Sequence, residues 1–169
     1  MSDDFVAGIT DAQWAEFAKE SGLPPEEAKR RYLDAVSHDD GVALSQDVTL
    51  GQMVTVDRCK EQPFNANIWK IIGVKGSMKL CGPESDWVLT LTITFVVAGV
   101  DVTTRTYTLS KKKAEVHDTI ELFVFRASYS LSLTTDRWCV NIGGSVGYWK
   151  GVWHDHGFKK TLFCFGNIL

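Results

Sequence analysis

The sequence predicts a mainly β protein, an antiparallel β-sandwich or squat barrel of about eight strands with a short N-terminal helical hairpin. Three observations predict it. From Trp87 to Val97 the odd positions are large and apolar, while Thr90, Thr92 and Thr94 take the other face. That period of two is what a strand with one buried and one wet face needs, and such strands belong to antiparallel sheets. Turn-like segments such as Ala98-Gly99 and Lys111-Lys112-Lys113 separate β-rich runs with no helical periodicity between them. Only residues 10–36 carry helical spacing. The change of period divides the chain into a helical hairpin over 1–41, packed on the β body, and an antiparallel β domain over 42–169.

The first helix opens on Thr10 with Gln13 three residues on, a capping box that satisfies two orphan backbone N–H groups. Ile9 and Trp14 have the spacing of a hydrophobic staple, Trp14, Phe17 and Ala18 form one apolar face, and Gly22 supplies the stop. Pro25 opens the second helix, where its missing N–H costs nothing, and Glu26 and Glu27 favour the positive dipole end. Ala28, Tyr32, Ala35 and Val36 share its apolar face, and 37–41 end it. Each helix is too short to stand alone, so the pair is expected to pack across one end of the β body.

In the β body, Val48, Leu50, Val54 and Val56 read as one strand face, and Val74, Met78 and Leu80 as another after the apolar run 68–72. The Trp87 strand turns at Ala98-Gly99 into a return strand from Val100 to Leu109, rich in threonine. Lys111 to Lys113 form a solvated turn that also discourages edge pairing. Residues 119–133 exceed one ordinary strand, so a bend or bulge is expected near Arg126 to Ser128. The last strands are read as 138–142, 146–153 and 161–165.

The chain of 169 residues is 44% hydrophobic and 23% charged, with a net charge of -3, values of an ordinary folded domain. This balance gives no electrostatic case for nucleic acid. The acidic start Met1-Ser2-Asp3-Asp4 lacks a leader's apolar stretch, and no run approaches the roughly 18–20 apolar residues of a spanning helix. Cys59, Cys81, Cys139 and Cys164 show no C-x-x-C spacing, so the expectation is free thiols in a reducing, cytoplasmic setting, with release by a leaderless route open.

Function is sought in the run Gly143 to His156, where Gly143, Gly147 and Gly151 alternate with Tyr148, Trp149 and Trp153. On a strand, Trp149 and Trp153 would share a face with the glycines, a shallow groove suited to a flat ligand. Sugar rings pack their C–H faces on indole, with Lys150 and Asp155 as polar contacts. The same rings suit a membrane surface, and a purely structural or subunit-assembly role would bury them. His154 and His156 would point to one side of a strand, a weak metal pair with Asp118, Asp136 or Asp155 as oxygen donor. Asp155-His156-Gly157 also reads as an ordinary turn. His117 and Asp118 are neighbours facing opposite sides, and His38 with Asp39 and Asp40 reads as a solvated helix exit.

No nucleophile elbow, P-loop or dinucleotide fingerprint occurs. The expectation is therefore a non-enzymatic module for a carbohydrate or other amphipathic ligand, without cofactor, using Tyr148, Trp149, Lys150, Trp153 and Asp155. The alternatives are a membrane-interacting, pore-forming-like protein and a metal-dependent enzyme centred on His154 and His156. Its partner is expected to be a small molecule or glycan, with a membrane surface or oligomer open and no nucleic acid.

Overall fold

A computed structural model describes residues 6–37 and 48–167. Two helices precede ten strands. They are α1 (Asp11–Phe17), α2 (Pro25–Ser37), β1 (Thr49–Leu50), β2 (Val54–Val56), β3 (Cys59–Trp69), β4 (Ile72–Cys81) and β5 (Val88–Val97), followed by β6 (Val100–Ser110), β7 (Glu115–Glu121), β8 (Phe125–Thr134), β9 (Cys139–Trp149) and β10 (Trp153–Cys164). From β3 onward the chain runs up and down, and every pairing is antiparallel. A six-stranded sheet has the order β1-β3-β4-β5-β6, with β2 also on β3; a four-stranded sheet has the order β10-β9-β8-β7. The mainly β, antiparallel expectation holds, and the form is a sandwich.

The two sheets bury their alternating apolar residues against each other. Leu89, Leu91, Ile93, Phe95 and Val97 of β5 face Phe125, Ala127, Tyr129, Leu131 and Leu133 of β8, and the Phe95 ring lies 5.6 Å from Phe125 and 5.1 Å from Tyr129. At the β6–β7 edge the seam is polar. Tyr129 donates to Tyr107, Tyr107 donates to Asp118 at 2.5 Å, and Arg105 donates to the same carboxylate at 3.1 Å. The Tyr107 hydrogen bond holds the Asp118 carboxyl below the usual carboxylate range, and burial pushes both phenols up.

The helices form as their caps dictate. Thr10 Oγ accepts from the Gln13 N–H at 3.2 Å, while Gln13 Oε1 accepts from the Thr10 N–H at 2.8 Å. Trp14, Phe17 and Tyr32 pack ring on ring between the helices, all buried. The buried Tyr32 hydroxyl donates to the carbonyls of Val124 and Trp149, so α2 holds two β-hairpins at one end of the sandwich. Ser21 bonds both ways with the Asp101 backbone at the same end. His38, Asp39 and Asp40 lie outside the described residues. No helix among the described residues is long and apolar enough to cross a membrane.

Several expectations are corrected. The cysteines are not free thiols: Cys59 bonds Cys81 and Cys139 bonds Cys164. Each pair stands directly opposite in a hairpin, 4.1 and 3.9 Å apart at Cα, although 22 and 25 residues separate them in sequence. Closing loops of that length stabilises by about 3 kcal/mol each in the chain-entropy account. Residues 119–133 do not bend as one strand but break at 122–124, where the Leu122 N–H donates to the Phe125 carbonyl at 2.7 Å. The Val48 to Val56 face splits into two short exposed strands. Strand β3 went unread because its first two inward positions are Lys60 and Gln62. Lys60 donates to the Asn167 carbonyl at 3.1 Å, and Gln62 donates to the Gly51 and Pro63 carbonyls at 2.7 and 2.8 Å. The run 146–153 is a hairpin turn rather than one strand, because Gly151 takes φ +82° and Trp149 pairs with Trp153. Asp155-His156-Gly157 is the interior of β10, not a turn.

Candidate functional site

The outer face of the four-stranded sheet gathers most of the residues singled out in the sequence, together with others. Register sets it out in rows. Trp149 and Trp153 stand opposite each other at one end. The next row runs Glu121, Arg126, Gly147, Asp155, and the one after runs Thr119, Ser128, Ser145, Gly157. Then come His117, Ser130, Gly143, Lys159, and last Glu115, Ser132, Asn141, Thr161. Successive rows lie about 6.6–6.8 Å apart and neighbouring columns about 4.8 Å. The middle of the face is thus paved with serine and glycine, and taller side chains ring it.

The paving leaves two adjoining hollows. One, of about 500 Å³, is lined by His117, Thr119, Ser128, Ser130 and Gly143 among others. The second, of about 410 Å³, shares Thr119 and Ser128 and reaches Glu121, Arg126, Ser145 and Asp155. Ser128 and Ser145 are exposed on its floor, and Gly157 is exposed beside Ser145 in the same row. Hydroxyls both donate and accept, so this floor can meet a ligand that does the same. Along one side His117 Nε2 lies 2.9 Å from Glu115, and at the far end Thr161 donates to Asn141 at 2.8 Å.

The end wall is built on an absent side chain. Arg126 and Asp155 flank Gly147 on either side and meet above it: Nε donates to Oδ1 at 2.8 Å, and an NH2 group donates to Oδ2. A Cβ on residue 147 would collide with Asp155 Oδ1 and stand 3.0 Å from the His154 carbonyl oxygen. The Arg126 guanidinium also lies over the Trp153 ring, 4.4 Å from its centre, and Trp153 packs edge-on to Trp149 at 5.5 Å. The Arg126 hydrogen bond holds the Asp155 carboxyl below the usual range, and Asp155 in turn raises Arg126. A second glycine holds the sheet itself together. Gly144 takes φ +146°, and a Cβ there would strike the Ser128 carbonyl and lie 2.7 Å from the Tyr129 Cα.

The sequence-singled residues therefore divide. Trp149, Trp153 and Asp155 share the outer face with Gly147. Lys150 sits in the turn beyond them, its N–H bonded to the Val152 carbonyl at 3.0 Å. Tyr148 points the other way, 1% exposed, into the sandwich, with its ring 5.5 Å from Trp69. A role stacking on a ligand is thereby corrected, because alternation along β9 sends neighbours to opposite faces. His154 and His156 follow Tyr148 to that side. His154 lies flat on Tyr148 at 5.5 Å and His156 flat on Trp69 at 4.8 Å. Their Asp155 neighbour faces away, Asp118 is engaged by Tyr107 and Arg105, and among the described residues no group of three His, Cys, Asp or Glu gathers as a metal site.

Arg126, Ser128, Ser130, Ser145 and Thr119 were missed. A signal existed for the first three, since polar residues at 126, 128, 130 and 132 alternate with Ala127, Tyr129 and Leu131. A larger hollow, about 900 Å³, opens at the other end of the sandwich beside Trp87 and Trp138, but both indoles are buried there and offer no stacking face. Comparison of the chain with protein-family models, with curated proteins and with solved structures finds no match.

Proposed function

We propose that this protein is a non-enzymatic binding module whose serine- and glycine-paved trough takes a neutral, polyhydroxylated chain of the oligosaccharide class. One observation carries the reading: Thr119, Ser128, Ser145 and Gly157 make one row of small residues across all four strands, Ser130 and Gly143 extend it on the two middle strands, and Arg126, Asp155, Trp153, His117 and Lys159 stand around the gap. A hydroxyl floor without apolar bulk favours a ligand that exchanges many weak hydrogen bonds, and the partly exposed Trp153 indole, with Arg126 over one face, borders it as an apolar contact for a sugar's C–H groups. The site residues of this reading are Thr119, Arg126, Ser128, Ser130, Ser145, Trp153 and Asp155. Trp149 and Lys150 lie at its margin. The two disulfides favour work in an oxidising compartment over the reducing one expected from free thiols.

The test is calorimetric titration with soluble gluco-, manno-, galacto- and N-acetylglucosamine oligosaccharides. The reading expects at least one to bind, with affinity falling about tenfold or more for Trp153→Ala and for Arg126→Gln in folded protein. If none binds, or if both variants bind like the parent, the reading fails.

A further inference from the structure

We propose that the protein docks on lipid bilayers through the two hairpin tips beyond the aromatic end of this face, with Phe123 and Val152 entering the acyl boundary. This goes beyond the saccharide reading and does not depend on it. Large apolar residues at exposed turns leave apolar surface in water that burial would relieve, and here two occur on neighbouring turns. Phe123 is 43% exposed at the β7–β8 turn and Val152 is 62% exposed at the β9–β10 turn. Strands β8 and β9 are neighbours, and the Trp149 N–H donates to the Val124 carbonyl at 3.0 Å, so the two tips emerge together.

Three further features point to lipid rather than to a flat protein partner. First, the apolar groups sit on narrow protruding turns instead of a broad patch, a shape that penetrates rather than abuts. Second, each tip is closed by a backbone bond, Leu122 N–H to Phe125 O and Lys150 N–H to Val152 O, which lowers the cost of carrying it into the interface. Third, the residues just behind the tips match the chemistry of the interface. Trp149 and Trp153 are amphipathic rings of the kind enriched at headgroup depth, and Lys150 in the β9–β10 turn places a cation where lipid phosphates lie. Tyr32 bonds the carbonyls of Val124 and Trp149, so α2 holds both tips in place. Two side chains make a reversible anchor rather than a spanning one.

Flotation of the full chain with vesicles of phosphatidylcholine, alone or mixed with phosphatidylserine, tests this. The parent protein is expected to float with one or both compositions, and its tryptophan emission to be quenched by brominated acyl chains. Phe123→Asp/Val152→Asp should lose flotation by about a hundredfold or more while keeping its far-ultraviolet circular dichroism and its oligosaccharide binding. A parent protein that stays unbound on both compositions overturns the proposal without recourse to any variant. A folded double variant that floats like the parent overturns it as well. Soluble oligosaccharide titration is independent of vesicles, so failure of one proposal is distinguishable from failure of the other.

Discussion

On the outer face of the six-stranded sheet, Thr90, Thr92 and Thr94 of β5 stand opposite Thr108, Thr106 and Thr104 of β6. Two of these pairs bond through their hydroxyls, at 2.8 Å for Thr94–Thr104 and 3.4 Å for Thr92–Thr106. On the outer face of the four-stranded sheet the corresponding middle positions are Ser128, Ser130, Ser145 and Gly143. Both faces obey one alternation and both are polar. They differ in side-chain height and in where the hydroxyls are spent. Threonine fills its site with a methyl group and turns its hydroxyl to a neighbour, which stabilises a sheet and closes its surface. Serine and glycine stabilise less and leave the surface open. The second sheet thus gives up β propensity where the first keeps it, and the hollows are what that exchange leaves.

The open sheet depends most on its glycines. Gly144→Val forces a side chain into the Ser128 carbonyl, so β8 and β9 must separate; we expect a loss of about 3 kcal/mol or more, read as a fall in the guanidinium midpoint at constant slope. Substitutions that give one face the side chains of the other separate height from stability. Ser128→Thr/Ser145→Thr should leave stability unchanged or raise it by up to about 1 kcal/mol, and reduce oligosaccharide affinity about tenfold or more. The converse, Thr92→Ser/Thr106→Ser, should cost about 0.5–1 kcal/mol and leave affinity as it was. Thermal unfolding and titration of the same samples separate the two effects.

A pH-dependent effect distinguishes the polar seam from the surface. Asp118 has a folded-state pKa held below its unfolded value of about 3.9. It therefore contributes stability that is present above that pH and is lost as pH falls through the folded pKa. Asp118→Asn should cost about 1–2 kcal/mol at neutral pH and nearly nothing once both states are protonated, so parent and variant curves converge in acid. The smallest effect is at Gly147. Gly147→Ala displaces Asp155 from Arg126, an exposed pair worth under about 1 kcal/mol, yet it reshapes the end wall and should weaken ligand binding more than stability.

What could be read in advance follows from which facts are local. The Trp87 to Val97 strand, the Ala98-Gly99 turn and the Thr10 capping box are each written within a few consecutive residues, and each appears as read. Strand β3 was hidden because Lys60 and Gln62 occupy inward positions and find partners only in the folded chain. The disulfides were hidden because Cys59 and Cys81 meet through hairpin register. Trp149, Trp153 and Asp155 stand out because the run Gly143 to His156 is compositionally odd, but which way the rings face is set by strand register and not by the run itself. The trough was not, since each of its rows takes one residue from each of four strands between Glu115 and Thr161. Asp155-His156-Gly157 carries every local mark of a turn, and only pairing with Gly147, Val146 and Ser145 holds it extended.

If the open face and not the threonine face receives the ligand, amide chemical-shift mapping with a binding oligosaccharide will show it. We expect the perturbed amides to cluster at Thr119, Ser128, Ser130, Gly143, Ser145 and Gly157, together with the Trp153 indole N–H, while Thr92, Thr94, Thr104 and Thr106 stay fixed. Perturbations centred on the threonine ladder, or confined to the hollow beside Trp87 and Trp138, would contradict it.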